Sequence, residues 1–204
     1  MTVESGRARR SVYMQRKDRK GTLSAYPIYT IGHSTRSLDK FISILQAHSI
    51  MKLVDIRTVP RSRFNPQFNK ERLAEELPNH GIEYLHMKEL GGLRHPKRDS
   101  INNAWRNQSF RGFADYMQTD LFKDAVDRLV SYSKEKRVAM MCAEGSPFRC
   151  HRSLVADALT IRGIKVIHLS GFGSGSLHSL TRFAKTDGLE ITYPEPNMIS
   201  GEAQ

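Results

Sequence analysis

Apolar positions along the chain follow two alternating rhythms. Short apolar runs, IYTIGHS, MKLVDIR, IEYLHM, RVAMMCA and KVIHLS, read as strands. The fourth is apolar almost throughout, as strands buried on both faces of a sheet are. Segments of helical period lie between them. In LDKFISILQAHSI, Leu38, Phe41, Ile42 and Leu45 fall at i, i+3, i+4 and i+7, and Ser37 is placed to cap the helix. NKERLAEELPNHG and HRSLVADALTIRG read as further helices, the first stopping near Pro78 and Gly81 and the second at Gly163. Residues 109–135 hold one or two helices, with Phe113, Met117, Leu121, Val126, Leu129 and Val130 as core candidates. GFGSGS reads as a flexible link, HSLTRFAKTDG as a last short helix and ITYPEP as a terminal extended piece. Strand and helix alternate at βαβ spacing. This predicts an α/β fold: a single three-layer domain, its mainly parallel sheet of about five strands carrying helices on both faces.

Residues 1–24 show little periodicity and few large apolar side chains, and read as a basic, flexible N-terminal arm. Residues 25–204 then form the single domain, since 204 residues suit one such core rather than two. No run approaches the ~18 apolar residues of a membrane helix. The basic N-terminus has no apolar stretch of the kind a secretory signal needs. Two cysteines make no disulfide framework. The expectation is a cytoplasmic protein with reduced thiols and no membrane partner. The net charge is +11; residues 1–20 carry seven Lys or Arg against two acids, so +5 lies there and +6 in the rest. A basic body beyond a basic arm makes nucleic acid or phosphorylated small molecules the expected partners.

Parallel sheets bind ligands outside the carboxyl ends of their strands. The first strand delivers Gly32, His33 and Ser34 there; the second delivers Asp55 and Arg57, then Arg61 and Arg63; the third His86, Glu89, Gly91 and Gly92; the fourth Cys142 and Glu144; the fifth His168 and Ser170. Each has a plain alternative. Asp55 and Arg57 alternate along a strand and form either a structural ion pair or part of a site. His86 and His168 lie in apolar strands, where satisfied core histidines are common. Trp105, in the long loop 91–108, either stacks on a base or pins the loop. RTVPRSRFNPQFN mixes Arg57, Arg61 and Arg63 with Phe64 and Phe68, a pattern suited to a phosphate-and-base surface or to core rings.

The stretch MMCAEGSPFRCHRSL holds both cysteines and leads into a helix. A helix N-terminus and Arg149 and Arg152 favour an anion, and a thiol among positive charges becomes a usable nucleophile. Strand, cysteine loop and helix in that order look like the cysteine phosphatase and rhodanese design. Six residues separate Cys142 from Arg149 where the phosphatases have five, and Glu144 repels phosphate. A zinc reading lacks the tight C-x2-C pair, and adjacent Cys150 and His151 cannot easily both ligate from a helix. Small buried cysteines in a turn remain the third possibility.

TIGHS, VDIRTVPRSRFNPQFN, YLHMKELGG and MCAEGSPFRCHR, in that order, resemble the domain of unknown function 488 family, from about Tyr29 to Tyr193. The resemblance implies an α/β fold and signature positions, Gly32, His33, Ser34, Asp55, Arg57, Arg63, Phe64, Phe68, Gly91, Gly92, Cys142, Glu144, Cys150, His151 and Arg152, without a reaction or a cofactor. Together these observations lead to an enzyme acting on a phosphorylated substrate, a nucleotide or nucleic acid. Its catalytic candidates are Cys142, Glu144, Asp55 and His33. Arg57, Arg63, Arg152, His151, Ser34, Gly91 and Gly92 are candidates for holding substrate, with no metal. A non-catalytic nucleotide- or nucleic-acid-binding module is the alternative.

Overall fold

The computed structural model describes residues 25–195. The basic arm expected over residues 1–24 lies outside the described residues. The five expected strands are β1 (Ile28–Gly32), β2 (Lys52–Asp55), β3 (Glu83–His86), β4 (Val138–Cys142) and β5 (Val166–Leu169). All five pair in parallel. The helices are α1 (Leu38–Ala47), α2 (Lys70–Asn79), α3 (Gln108–Tyr116), α4 (Asp120–Glu135) and α5 (Arg152–Thr160). Ser37 caps α1 as expected, its hydroxyl accepting from Lys40 N. In α4, Leu121 is exposed and Val130 only half-buried, because Phe122, Ala125, Val126 and Leu129 form the inward stripe.

Side-chain alternation sorts the helices onto two faces. Tyr29, Ile31, Leu53, Ala139, Met141, Ile167 and Leu169 pack with α1 and α2. Ile28, Val54, Val138, Met140, Cys142 and Val166 pack with α3, α4 and α5. The fold is therefore a three-layer α/β domain. Among the described residues no helix is long and apolar enough to cross a membrane.

The sheet has six strands in the order β3-β2-β4-β1-β5-β6, the sixth being β6 (Ser176–Leu177), antiparallel to β5. The chain leaves β1 through α1 on one face toward β2, and leaves β4 through α5 on the other face toward β5. Neighbouring strands β1 and β4 thus feed helices on opposite faces of the sheet, which opens a crevice at their carboxyl ends.

The last helix expected, over HSLTRFAKTDG, does not form. His178 and the following residues run as irregular backbone into a hairpin of β7 (Lys185–Asp187) and β8 (Glu190–Thr192). Two forces override the helical spacing. Asp157 of α5 captures the Thr181 N–H and hydroxyl, and Gly188, at φ +56, makes the turn of a hairpin. Leu180, Phe183 and Ala184 still pack on the core, but from a loop.

A buried relay ties this segment to the sheet. Asp157 accepts from His178 Nε2 at 2.8 Å, His178 Nδ1 meets His168 Nε2 at 2.9 Å, and His168 Nδ1 meets the Thr30 hydroxyl at 2.8 Å. Because a carboxylate only accepts, the neutral chain has one polarity: Thr30 donates to His168, His168 to His178, and His178 to Asp157. A second ring proton on His168 would require the Thr30 hydroxyl to reverse and accept. Burial, then the neighbouring His178 and Arg152, lower its pKa to about 4, against a raising effect from Asp157. The unfolded chain takes up this proton near 6.5. Between those values the unfolded state binds more protons, so this stability is complete above about 6.5 and is lost as pH falls through 4. We expect urea midpoints to fall between pH 6.5 and 4 by the equivalent of about 2 kcal/mol, and to fall less in His168→Gln. Equal pH profiles for the two proteins would remove His168 as the cause.

Candidate active site at the sheet crevice

The loop after β1 is drawn against the loop after β4. His33 N donates to Cys142 O at 3.0 Å and Ser34 N to Ala143 O at 2.9 Å, extending the β1–β4 pairing past the strands. Gly32 is required here. A Cβ at that position would overlap the Glu144 carbonyl oxygen and lie 2.8 Å from Arg152 Nη1. Ser34 then turns with φ +49, and the chain enters α1.

A cavity of about 330 Å³ opens at this crevice. It is lined by residues 33–35 after β1, by Arg57, Val59, Arg61, Ser62 and Asn65 after β2, and by residues 143–145 after β4. Of the expected site residues, His33, Ser34, Arg57 and Glu144 meet in its wall. Arg61 joins them. Arg63 and Phe64 follow on the exposed rim, Phe64 with 94% of its surface open. Phe68 is buried instead and stacks on His33, ring centroids 4.3 Å apart.

Arg57 is held rigidly. Its Nε and Nη2 donate to the two Asp55 carboxylate oxygens at 2.9 and 2.6 Å, and its Nη2 also to Phe68 O at 2.7 Å. Asp55 further accepts from Arg57 N and from the Tyr84 hydroxyl at 2.7 Å. Asp55 is therefore an orienter of Arg57 outside the lining of this cavity, rather than standing free as an acid or base. The remaining nitrogen, Arg57 Nη1, donates to His33 Nε2 at 3.4 Å. His33 Nδ1 sits 2.8 Å from Ser34 O, a carbonyl that can only accept, so Nδ1 carries the proton and Nε2 keeps its lone pair. Burial, with the Arg57 charge, lowers the His33 pKa, against a raising effect of the Ser34 carbonyl. The imidazole is thus held neutral with its basic nitrogen beside a guanidinium. His86 has a different duty: its Nε2 donates to Arg57 O at 2.8 Å.

The cysteines lie behind this wall. Cys142 is 7% exposed and is not part of the lining of this cavity. Its Sγ is 4.0 Å from His151 Nδ1, and Cys150 Sγ is 3.8 Å from the same nitrogen. A hydrogen bond from Cys150, and one shared with His151, hold the Cys142 thiol well below its ordinary range against the effect of burial. The same bond to Cys142, and burial, push Cys150 up. Arg149, the counterpart sought for a phosphatase loop, is exposed. The buried cation is Arg152, 1% exposed, whose Nη2 donates to Gly145 O at 3.3 Å while Nε and Nη1 have no partner. Gly91 and Gly92 are not part of the lining of this cavity; they permit close packing. A Cβ on Gly91 would lie 2.5 Å from the Thr58 hydroxyl, and one on Gly92 would overlap His151 Nδ1. The expected site residues therefore divide into two layers: an open, cationic cavity and a buried thiol cluster beneath it. Trp105 pins its loop, packing on Phe110, Phe183 and Tyr193.

Sequence reasoning weighed Cys142, Cys150 and His151 together only as metal ligands and set them aside on spacing, and it missed His178 and Asp157 altogether. Asp157 left a signal: a carboxylate between Leu154, Val155, Ala158 and Leu159 on a helix whose described residues 152–159 are all buried.

No curated protein and no solved structure matches this chain. A family model described as "Domain of unknown function DUF488" matches residues 37–159, a narrower span than the motif resemblance, starting just after the His33–Ser34 turn. The match covers more than half of the sequence, and the chain belongs to the DUF488 family.

Proposed function

We propose that the protein is an enzyme acting on a phosphorylated substrate, a nucleotide or nucleic acid, bound in the crevice cavity. The observation that carries this is the neutral His33, whose Nε2 accepts a long 3.4 Å hydrogen bond from Arg57 in the wall of a cavity with Arg61 and Ser34. Arg57, Arg61 and the Ser34 hydroxyl supply charge and donors for phosphate oxygens. The exposed Phe64, between Arg63 and the cavity residue Asn65, offers a ring on which a base stacks. Cys142 lies behind Ala143, so the attacking group in this scheme is water. As a phosphate oxygen draws the Arg57 Nη1 donor away from His33 Nε2, the water oxygen bonds to phosphorus, His33 Nε2 takes its proton, the P–O bond to the leaving group breaks, and that oxygen is protonated from solvent. Glu144, on the same wall, orients the water and disfavours a ligand with charge in excess of what the arginines neutralise.

The test is a panel of phosphomonoesters, nucleotides and short oligonucleotides, scored for turnover and for binding against salt. Arg61→Ala, on an exposed side chain, is expected to weaken binding about 10-fold and to flatten its salt dependence. His33→Asn is expected to cost about 10²–10⁴ in kcat with KM little changed. Binding without turnover, indifferent to His33→Asn, leaves the non-catalytic module. No binding to any phosphorylated ligand ends the proposal.

A further inference from the structure

The buried layer beneath the cavity has a chemistry of its own. Cys142 Sγ, Cys150 Sγ and His151 Nδ1 all lie within 4.8 Å of one another. The two sulfur–nitrogen separations are 4.0 and 3.8 Å. Around a tetrahedral zinc, bonds of about 2.3 Å to sulfur and about 2.0–2.1 Å to nitrogen put such ligand atoms roughly 3.5–3.8 Å apart. The three atoms already stand close to that triangle.

The imidazole is turned for the purpose. His151 Nε2 lies 3.1 Å from Ile56 O, a backbone carbonyl that can only accept. Nε2 therefore carries the proton in the neutral ring, and Nδ1 presents its lone pair to the two sulfurs. A metal-bound histidine typically donates its other N–H to a carbonyl or carboxylate, which fixes tautomer and ring orientation. Gly92 makes this ring position possible, because any Cβ there would overlap Nδ1.

The adjacency of Cys150 and His151, which argues against a metal in the sequence, is resolved by the backbone. Cys150 is extended, with φ −137 and ψ 141, while His151 has φ −56 and ψ −12 and precedes α5. The two residues lie before the helix rather than on it, and both side chains converge on the end of β4. A second observation points the same way. Arg152 is buried, and among the described residues its Nε and Nη1 have no partner. Two thiolates on a metal would put anionic charge near that guanidinium.

We infer that Cys142, Cys150 and His151 form a Cys₂His site for a thiophilic divalent metal, zinc by ligand type. Soft thiolates with one imidazole in near-tetrahedral array select zinc over the hard cations, which take oxygen ligands. No fourth His, Cys, Asp or Glu joins the group among the described residues, so the fourth position goes to water or an exogenous ligand. Binding releases the thiol protons to solvent and joins the two ends of the loop 143–149, whose first residues wall the cavity.

This site stands apart from the phosphate proposal, and the experiment separates them. The full chain is stripped with chelator under reducing conditions and titrated with Co²⁺, then with Zn²⁺, and metal is counted by plasma mass spectrometry. Expected are one metal per chain, a thiolate-to-cobalt charge-transfer band with tetrahedral d–d bands, loss of those bands on adding Zn²⁺, and a raised Tm with zinc. Cys142→Ser, Cys150→Ser and His151→Ala should each weaken metal binding at least about 100-fold, while Arg61→Ala keeps it intact. Where a cysteine variant fails to fold, the wild-type cobalt spectrum still decides. Two thiols that alkylate equally with and without zinc, or a Cys142–Cys150 disulfide as the stable form of the purified chain, would overturn the assignment.

Discussion

Replacing Asp157 by alanine is expected to lower stability by about 3–5 kcal/mol, a large share of the ~5–15 kcal/mol that holds a domain of this size. The carboxylate is fully buried in α5 and all its acceptor directions are used. Oδ1 takes His178 Nε2 at 2.8 Å and Thr181 N at 3.0 Å; Oδ2 takes the Thr181 hydroxyl at 2.6 Å and the Tyr193 hydroxyl at 2.9 Å. Alanine leaves four donors buried with nothing to accept them, each costing about 1–3 kcal/mol unless the segment opens to water. Opening is cheapest for the chain after β5, which carries little regular structure. Asp157→Ala should therefore release residues 178–193 first, seen as early amide exchange there and a lower urea midpoint. Asp157→Asn keeps one acceptor oxygen and should lose about 1–3 kcal/mol. A loss below 1 kcal/mol in the alanine variant would show that the relay does not hold the C-terminal segment.

The parts of the fold that sequence made legible are those fixed by local period. Strands such as VAMMC declare themselves as short runs buried throughout, helices such as LDKFISILQA because burial repeats about every 3.6 residues, and the parallel sheet follows from their alternation. The hairpin after β5 was illegible for the same reason. Leu180, Phe183 and Ala184 have helical spacing, and only contact with Asp157, more than twenty residues away, turns the backbone elsewhere. At the crevice, the strand-end residues could be gathered at one edge from sequence. Their division into a cavity and a buried cluster could not, because it depends on which face each loop takes as α1 and α5 leave in opposite directions. Cys142 illustrates this. Its position at the end of β4 was readable, but its direction, into the α5 face beside Cys150 and His151, is set by strand parity and by the turn at Ser146–Arg149. Tautomers were equally out of reach, since His33 and His151 owe theirs to carbonyls at Ser34 and Ile56.

Asp55 and Arg57 yield the other large effect, and one that separates structure from chemistry. The pair is nearly inaccessible and bidentate, its oxygens also taking Arg57 N and the Tyr84 hydroxyl. Asp55→Ala strands a buried guanidinium with only Phe68 O as a strong partner, and should cost about 3–5 kcal/mol. Removing both charges is a different matter, because a buried pair replaced by apolar groups of similar volume is often near neutral. Asp55→Leu with Arg57→Met should therefore regain most of the stability lost by Asp55→Ala, with a coupling of about 1–3 kcal/mol between the sites in urea unfolding. Phosphate binding should not return with it. Arg57 Nη1 is the guanidinium nitrogen that faces His33 at the cavity. The rescued double variant would then be folded and deficient in binding phosphorylated ligands. Full binding in that variant would reduce Arg57 to a structural ion and leave Arg61 to carry the phosphate alone. Failure of the double variant to regain stability would mean that the bond to Phe68 O, which positions the ring stacked on His33, is what the pair protects.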